Sequence, residues 1–230
     1  MLIDPHIALI RTSKEHGPAL YEGVMARVAE RSEQPRGVLM HFTTWRDDNF
    51  VVATVFRDSA SMLEGFIGFS APEAQNEMVS SGRALDLTRD EHRLERMLVA
   101  DDVEAHPFTF VPAGKIAACS SDAAEISVDV FRKLVEASRQ DAAAVPGRLA
   151  TIAYRFGENV HAIDFWETRE RGQKYYEENI YPTYERLRPG LITEETIEKS
   201  WMDLHSFVVC TPPGDPLRNF VRETDGPIQR

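Results

Sequence analysis

Cysteine is nearly missing from this sequence: two in 230 residues, Cys119 and Cys210, with no C-x-x-C spacing. That excludes a disulfide scaffold and argues against a thiolate metal centre. No apolar stretch approaches the ~20 residues that a membrane-spanning helix needs. The start, MLIDPHIALIRTSKEH, puts an acid and a proline where a secretory signal would carry a basic region, so a cytoplasmic location is expected. Basic charge is also short, with 26 Lys and Arg against 37 Asp and Glu, a net charge of −11. Such a chain repels phosphate backbones and anionic bilayers, so neither nucleic acid nor membrane is expected as a partner. Glycine-rich phosphate loops, G-x-S-x-G and H-E-x-x-H are absent, which removes several enzyme classes and nominates none.

What is present is periodicity. His6–Arg11 reads as a strand, and Leu20, Val24 and Val28, with Tyr21 and Met25 beside them, mark an amphipathic helix. Strands Val38–Thr44 and Phe50–Phe56 follow around a polar turn. A capped helix then carries Met62, Leu63, Phe66 and Ile67. A capping box at Thr88-x-x-Glu91 predicts an extra helix, and His106–Val111 a fourth strand.

The order then repeats: strand Lys115–Ser120, a helix with Ile126, Val130 and Leu134, and strands Arg148–Arg155 and Val160–Glu167 around Gly157-Glu158. A helix with Tyr176, Ile180, Tyr184 and Leu187, a short one from Thr193, and a strand His205–Cys210 complete it. Pro35 matches Pro146, while Asn49, Phe56 and Pro72 match Asn159, Trp166 and Pro182, 110 positions on. His106-x-Phe108 matches His205-x-Phe207 at 99. The pattern predicts an α+β fold of two tandem ferredoxin-like βαββαβ units, residues 1–111 and 112–211, with 212–230 as a tail that packs extended or not at all. Each unit leaves one sheet face bare, so the two sheets are expected to face one another, with a ligand space between them.

Asn159–Tyr176 (NVHAIDFWETRERGQKYY), with Phe165-Trp166-Glu167-Thr168, Tyr175-Tyr176 and then Pro182, resembles the dimeric α/β-barrel superfamily that includes antibiotic-biosynthesis-type monooxygenases. Val55-Phe56-Arg57-Asp58-Ser59 with Pro72 is the first half's counterpart. The resemblance spans nearly the whole chain up to the tail and implies a ferredoxin-like unit in each half. That superfamily holds cofactor-free oxygenases, isomerases, and haem-binding and haem-degrading proteins. Its chlorite dismutase-like branch also uses tandem units, which brings haem into question, although the proximal-histidine segment of that branch is absent here.

With Gly157-Glu158 as the turn, Tyr154 pairs with His161, Ile152 with Ile163 and Ala150 with Phe165 on one face. Arg155, Thr151, Asp164 and Trp166 share the other. The more uniformly apolar first face is expected to meet the helices, and the mixed second face to line the inter-sheet cavity. Asp164 is then the candidate base, unless Thr151 or Arg155 simply satisfies it, with His161 as proton shuttle. Arg155, Thr151 and Trp166 would position substrate, joined by Thr54 and Phe56 from the first half. The expected function is small-molecule binding, with monooxygenase- or isomerase-like activity on an aromatic or polyketide-type substrate and no cofactor. The alternatives are a haem protein ligated by His161 or His205, and a scaffold with a filled interior. Pairing of two chains into a homodimer is compatible with either.

Overall fold

A computed structural model describes residues 2–15, 17–82, 87–121, 126–138, 145–187, 189–190, 193–194, 197, 200–222 and 228–229. In chain order the strands and helices are β1 (Leu2–Ile3), β2 (His6–Ser13), α1 (Gly17–Ala29), β3 (Val38–Arg46), β4 (Asn49–Phe56), α2 (Ser59–Gly65), α3 (Ala71–Ser81) and β5 (Thr88–Val99). There follow β6 (Ala117–Ser120), β7 (Ile126–Ser127), α4 (Val128–Ser138), β8 (Arg148–Phe156), β9 (Asn159–Trp166), α5 (Arg169–Tyr175), α6 (Tyr181–Leu187), β10 (Trp201–Val209), β11 (Asn219–Val221) and β12 (Ile228–Gln229).

The first half pairs in the order β5-β2-β4-β3 and the second in the order β10-β6-β9-β8, the strand order of a ferredoxin-like unit. β3 pairs with β10 and β5 with β8, so eight antiparallel strands close into a barrel without free edges. The fold expected from the sequence is thus present, and its two sheets are joined by hydrogen bonds as well as by packing. The same junction is made twice. Each interrupts its register once, between Leu94 and Arg96 and between Leu204 and Ser206, which leaves Glu95 and His205 as bulge residues.

The strand assignments correct two expectations. Thr88–Val99 is the fourth strand of the first half, where a capping box predicted a helix. His106–Val111 lies outside the named strands. Leu94, Met97 and Val99 correspond to Leu204, Phe207 and Val209, each 110 positions on, so the offset of 99 through His106 is replaced by the 110 found elsewhere. The charges that hide β5 are spent on neighbours: Arg11 pairs with Asp90, and Arg93 approaches Asp4 at 3.4 Å.

Pro72 and Pro182 explain a second shared irregularity. Before each, the helix widens by one residue into a π-turn, Phe66–Ser70 and Tyr176–Ile180. Proline offers no N–H to the carbonyl four residues back and crowds it, and the wider turn relieves the clash. The carbonyl freed in the first half, Gly68 O, accepts from Arg31 Nη1 at 3.0 Å. The short helix expected from Thr193 begins where Ile197 N donates to Thr193 O at 3.0 Å, and most of its remainder lies outside the described residues.

Inside the barrel, Ile7, Leu9, Met40, Phe42, Ala53, Val55, Leu94, Met97, Ala150, Ile152, Ile163, Phe165 and Phe207 form one core contributed by both halves. α1 and α2 cover the outer face of the first half, and α4 and α6 that of the second. After β10 the chain crosses the β5 side of the barrel. Leu217 and Phe220 are buried there, β11 pairs with β5, and Arg218 donates to the carbonyls of Thr211, Ala100 and Val103.

Candidate functional site

The β8–β9 pairing is the one expected, Tyr154 with His161 and Thr151 with Asp164. The direction of the two faces is opposite to expectation. Ile152, Ile163, Tyr154 and Phe165 belong to the barrel interior, whereas Asp164, Thr151 and Trp166 lie beneath the α5–α6 side. Alternation sets which residues share a face, not which face turns inward. Here both faces are covered, so apolar content does not tell inside from outside.

The helix-side group is a closed polar cluster. The Asp164 carboxylate accepts from Thr151 Oγ1 and from Tyr176 Oη. Burial, with the Asp164 charge added, pushes the Cys119 thiol up to about 12 and raises the Tyr176 phenol well above its usual range. Both stay protonated at neutral pH, and Asp164 is met by hydroxyl donors. The Trp166 ring is fully buried against Tyr175 at 5.3 Å, and Gly172 lets α5 sit this close: a Cβ there would lie 2.7 Å from the indole. Arg155 is outside the barrel, its Nε and Nη2 3.0 and 2.9 Å from Oε1 of the buried bulge residue Glu95.

The first-half candidates also face the helices. Thr54 Oγ1 is 2.8 Å from Nδ1 of the buried His41, whose Nε2 is 2.9 Å from Tyr21 Oη, itself 2.9 Å from Ser206 Oγ. Phe56 packs over Gly65. His205 is enclosed by the rings of Trp45, Phe50 and Phe110 at 5.3–5.7 Å, with Nε2 2.9 Å from Glu22 Oε1.

Of the candidates, His161 alone reaches a cavity among those described. At the barrel mouth bearing both β-hairpin turns a cavity of about 230 Å³ opens. Its walls include Arg11, Arg46, Tyr154, Phe156, His161 and Met202. Phe156 stacks on His161, centroids 4.9 Å apart and rings 20° from parallel, and His92 lies 5.2 Å from Phe156. Burial, then the charge of Arg46, lowers the His161 pKa to about 4, so its imidazole is neutral at pH 7. Burial raises the Tyr154 pKa while Arg46 and Arg11 pull it back. The cationic field of the mouth therefore reaches its aromatic wall.

Sequence reasoning missed Arg11, Arg46, Tyr154 and Phe156 as wall residues. The signal was available, because Tyr154 and Phe156 alternate on the strand face that pairs with His161. Choosing the other face as the inner one hid them.

No family model and no curated protein matches the sequence. Solved structures do. The chain superposes on two proteins each described as a putative monooxygenase. That of Lactobacillus acidophilus NCFM is 12% identical, covers 90% of this chain and 95% of its own, and gives a TM-score of 0.59. That of Fusobacterium nucleatum subsp. nucleatum ATCC 25586 is 10% identical, covers 96% and 100%, and gives 0.61. At such identities the likeness is one of fold. With the closed ring of eight strands, it makes this chain a single-chain form of the dimeric α/β-barrel fold, the architecture that the segment around Phe165-Trp166 resembles.

Proposed function

We propose that the protein binds a small molecule in the barrel mouth. The observation that carries this reading is a cavity of about 230 Å³ at the barrel mouth beside a neutral imidazole, two guanidinium groups and an exposed aromatic ring. Sites for drug-sized ligands run to about 300–1,000 Å³, so this one suits a single ring with its substituents and not a polycycle. If the protein is an enzyme, His161 is the proton acceptor in reach of such a ligand. Asp164 and Thr151 instead hold Tyr176 and the α5–α6 side in place. The monooxygenase descriptions of the two superposed proteins make oxygenation of a single-ring phenol the first activity to assay.

The test is a methyl and imidazole NMR titration with phenol and benzamide as probes. Shifts are expected at Met202 and His161, with at least a tenfold loss of affinity in Met202→Trp, which fills the mouth. Binding left unchanged by that substitution would remove the cavity from the account.

Haem fits neither candidate histidine. The His161 cavity is smaller than a tetrapyrrole requires, and His205 is walled by aromatic rings with Glu22 at its Nε2. Titration with haemin is therefore expected to give no Soret shift that depends on His161 or His205. A histidine-dependent band would overturn the small-ligand reading.

A further inference from the structure

Positions 110 apart hold corresponding places in the two halves, and the two hairpin turns flank the same mouth, so the cavity straddles the relation between them. Its lining breaks that relation in one direction. Where the first half has Thr44, Arg46 and Val51, the second has Tyr154, Phe156 and His161. His92, which corresponds to Met202, lies with the aromatic group, 5.4 Å from Tyr154 and 5.2 Å from Phe156. One wall thus carries two guanidinium groups together with Asp47, and the other carries rings.

The charges nearby are mixed in sign but unequally placed. Arg11 is paired with Asp90, and Lys14 Nζ holds the Asp47 carbonyl at 3.2 Å on the exposed turn. Asp47 also lines the cavity and the Asp90 charge reaches His92, while Arg46 acts on both His161 and Tyr154 and Arg11 acts on Tyr154. Phe156 stands 46% exposed although it stacks on His161, which leaves ring surface at the rim uncovered. In a chain with net charge −11, two guanidinium groups opposite an aromatic wall are a local arrangement that the bulk composition does not supply.

We propose that the ligand of the mouth is a small aromatic anion, one ring bearing a carboxylate, with its ring against Phe156 and His161 and its negative end toward Arg46 and Arg11. This rests on the reading of the mouth as the binding site and adds the chemical class of the ligand. A guanidinium binds a carboxylate through charge-assisted, geometrically matched hydrogen bonds, and stacked or edge-on rings favour an aromatic body over an aliphatic one.

Benzoate and benzamide have nearly one shape and differ in charge, so they separate the two levels of the claim. In NMR titrations at pH 7, benzoate is expected to shift His161 and Met202 and to bind about tenfold or more tightly than benzamide. Arg46→Gln should erase that preference, Arg46→Lys should retain part of it, and Phe156→Ala should weaken both probes. Equal binding of the two probes at the mouth, unaffected by Arg46→Gln, would overturn the anion assignment and leave the cavity reading standing. If neither probe shifts His161 or Met202, both are overturned.

Discussion

Replacement of Phe165 by alanine is expected to cost the fold about 3–5 kcal/mol, the range for truncating a fully buried phenylalanine. Phe165 is on β9 of the second half, yet its ring lies 4.9 Å from Phe42 on β3 and 4.8 Å from Phe207 on β10. The three rings tie both halves and one of their two junctions into the same core. The void left by alanine cannot close without moving strands whose hydrogen bonds run round a closed ring. Urea unfolding monitored by tryptophan fluorescence and circular dichroism should show a lower midpoint and a single transition by both probes. Phe165→Leu, which leaves a smaller void, should lose less. A loss below about 1 kcal/mol, or two transitions of which one moves, would mean that the halves do not share this core.

Acid should weaken the protein through His41. The imidazole is 1% exposed, lies between Tyr21 and Thr54, and burial lowers its pKa to about 3. In the unfolded chain the same group takes up a proton near pH 6.5. Between those values the unfolded state binds more protons, so stability is intact above pH 6.5 and declines as the pH falls toward 3. At about 1.4 kcal/mol per pH unit, the fall from pH 6.5 to 4 amounts to about 3 kcal/mol. His161, only half-buried at the mouth, acts in the same direction and by less once solvent screening is allowed for. The measurement is urea unfolding from pH 7 to 4 for the native chain and for His41→Gln. The variant should start weaker, because its contacts to Tyr21 and Thr54 change, and should show the shallower decline. Parallel declines in the two proteins would exclude His41 as the source.

The two expectations that failed in the fold, a helix at Thr88 and a strand at His106, share a cause. β5 begins with Thr88-Arg89-Asp90-Glu91-His92-Arg93, which reads as solvated or helical by composition. It holds as a strand because Arg11 pairs with Asp90, and because the aromatic side of the mouth takes His92. These are partners far away in sequence, and no local propensity announces them. His106-Pro107-Phe108 had the composition of a strand. In the fold, Phe108 packs edge-on to His41 at 4.9 Å. The segment follows the β10 edge through separate backbone bonds, His106 N to Val209 O and Phe207 N to Val111 O, and an isolated bridge at Pro112–Ser206, without forming a strand.

Sequence alone determined the repeated order of elements except the last strand of the first half, the register across the Gly157-Glu158 turn, the pairing of Tyr154 with His161 and Thr151 with Asp164, and the interruption at Pro72 with Pro182 as its counterpart. Each follows from local chemistry: a period of two or 3.6, a turn glycine with φ of 60°, an imino acid without a donor. Tertiary structure alone decided which face of β8 and β9 looks inward, and with it that His161 and not Asp164 lines the cavity at the mouth. The reason is closure. Once eight strands form a ring and helices coat its outside, both faces are largely covered, and the contrast of polar against apolar that would distinguish them from sequence is gone.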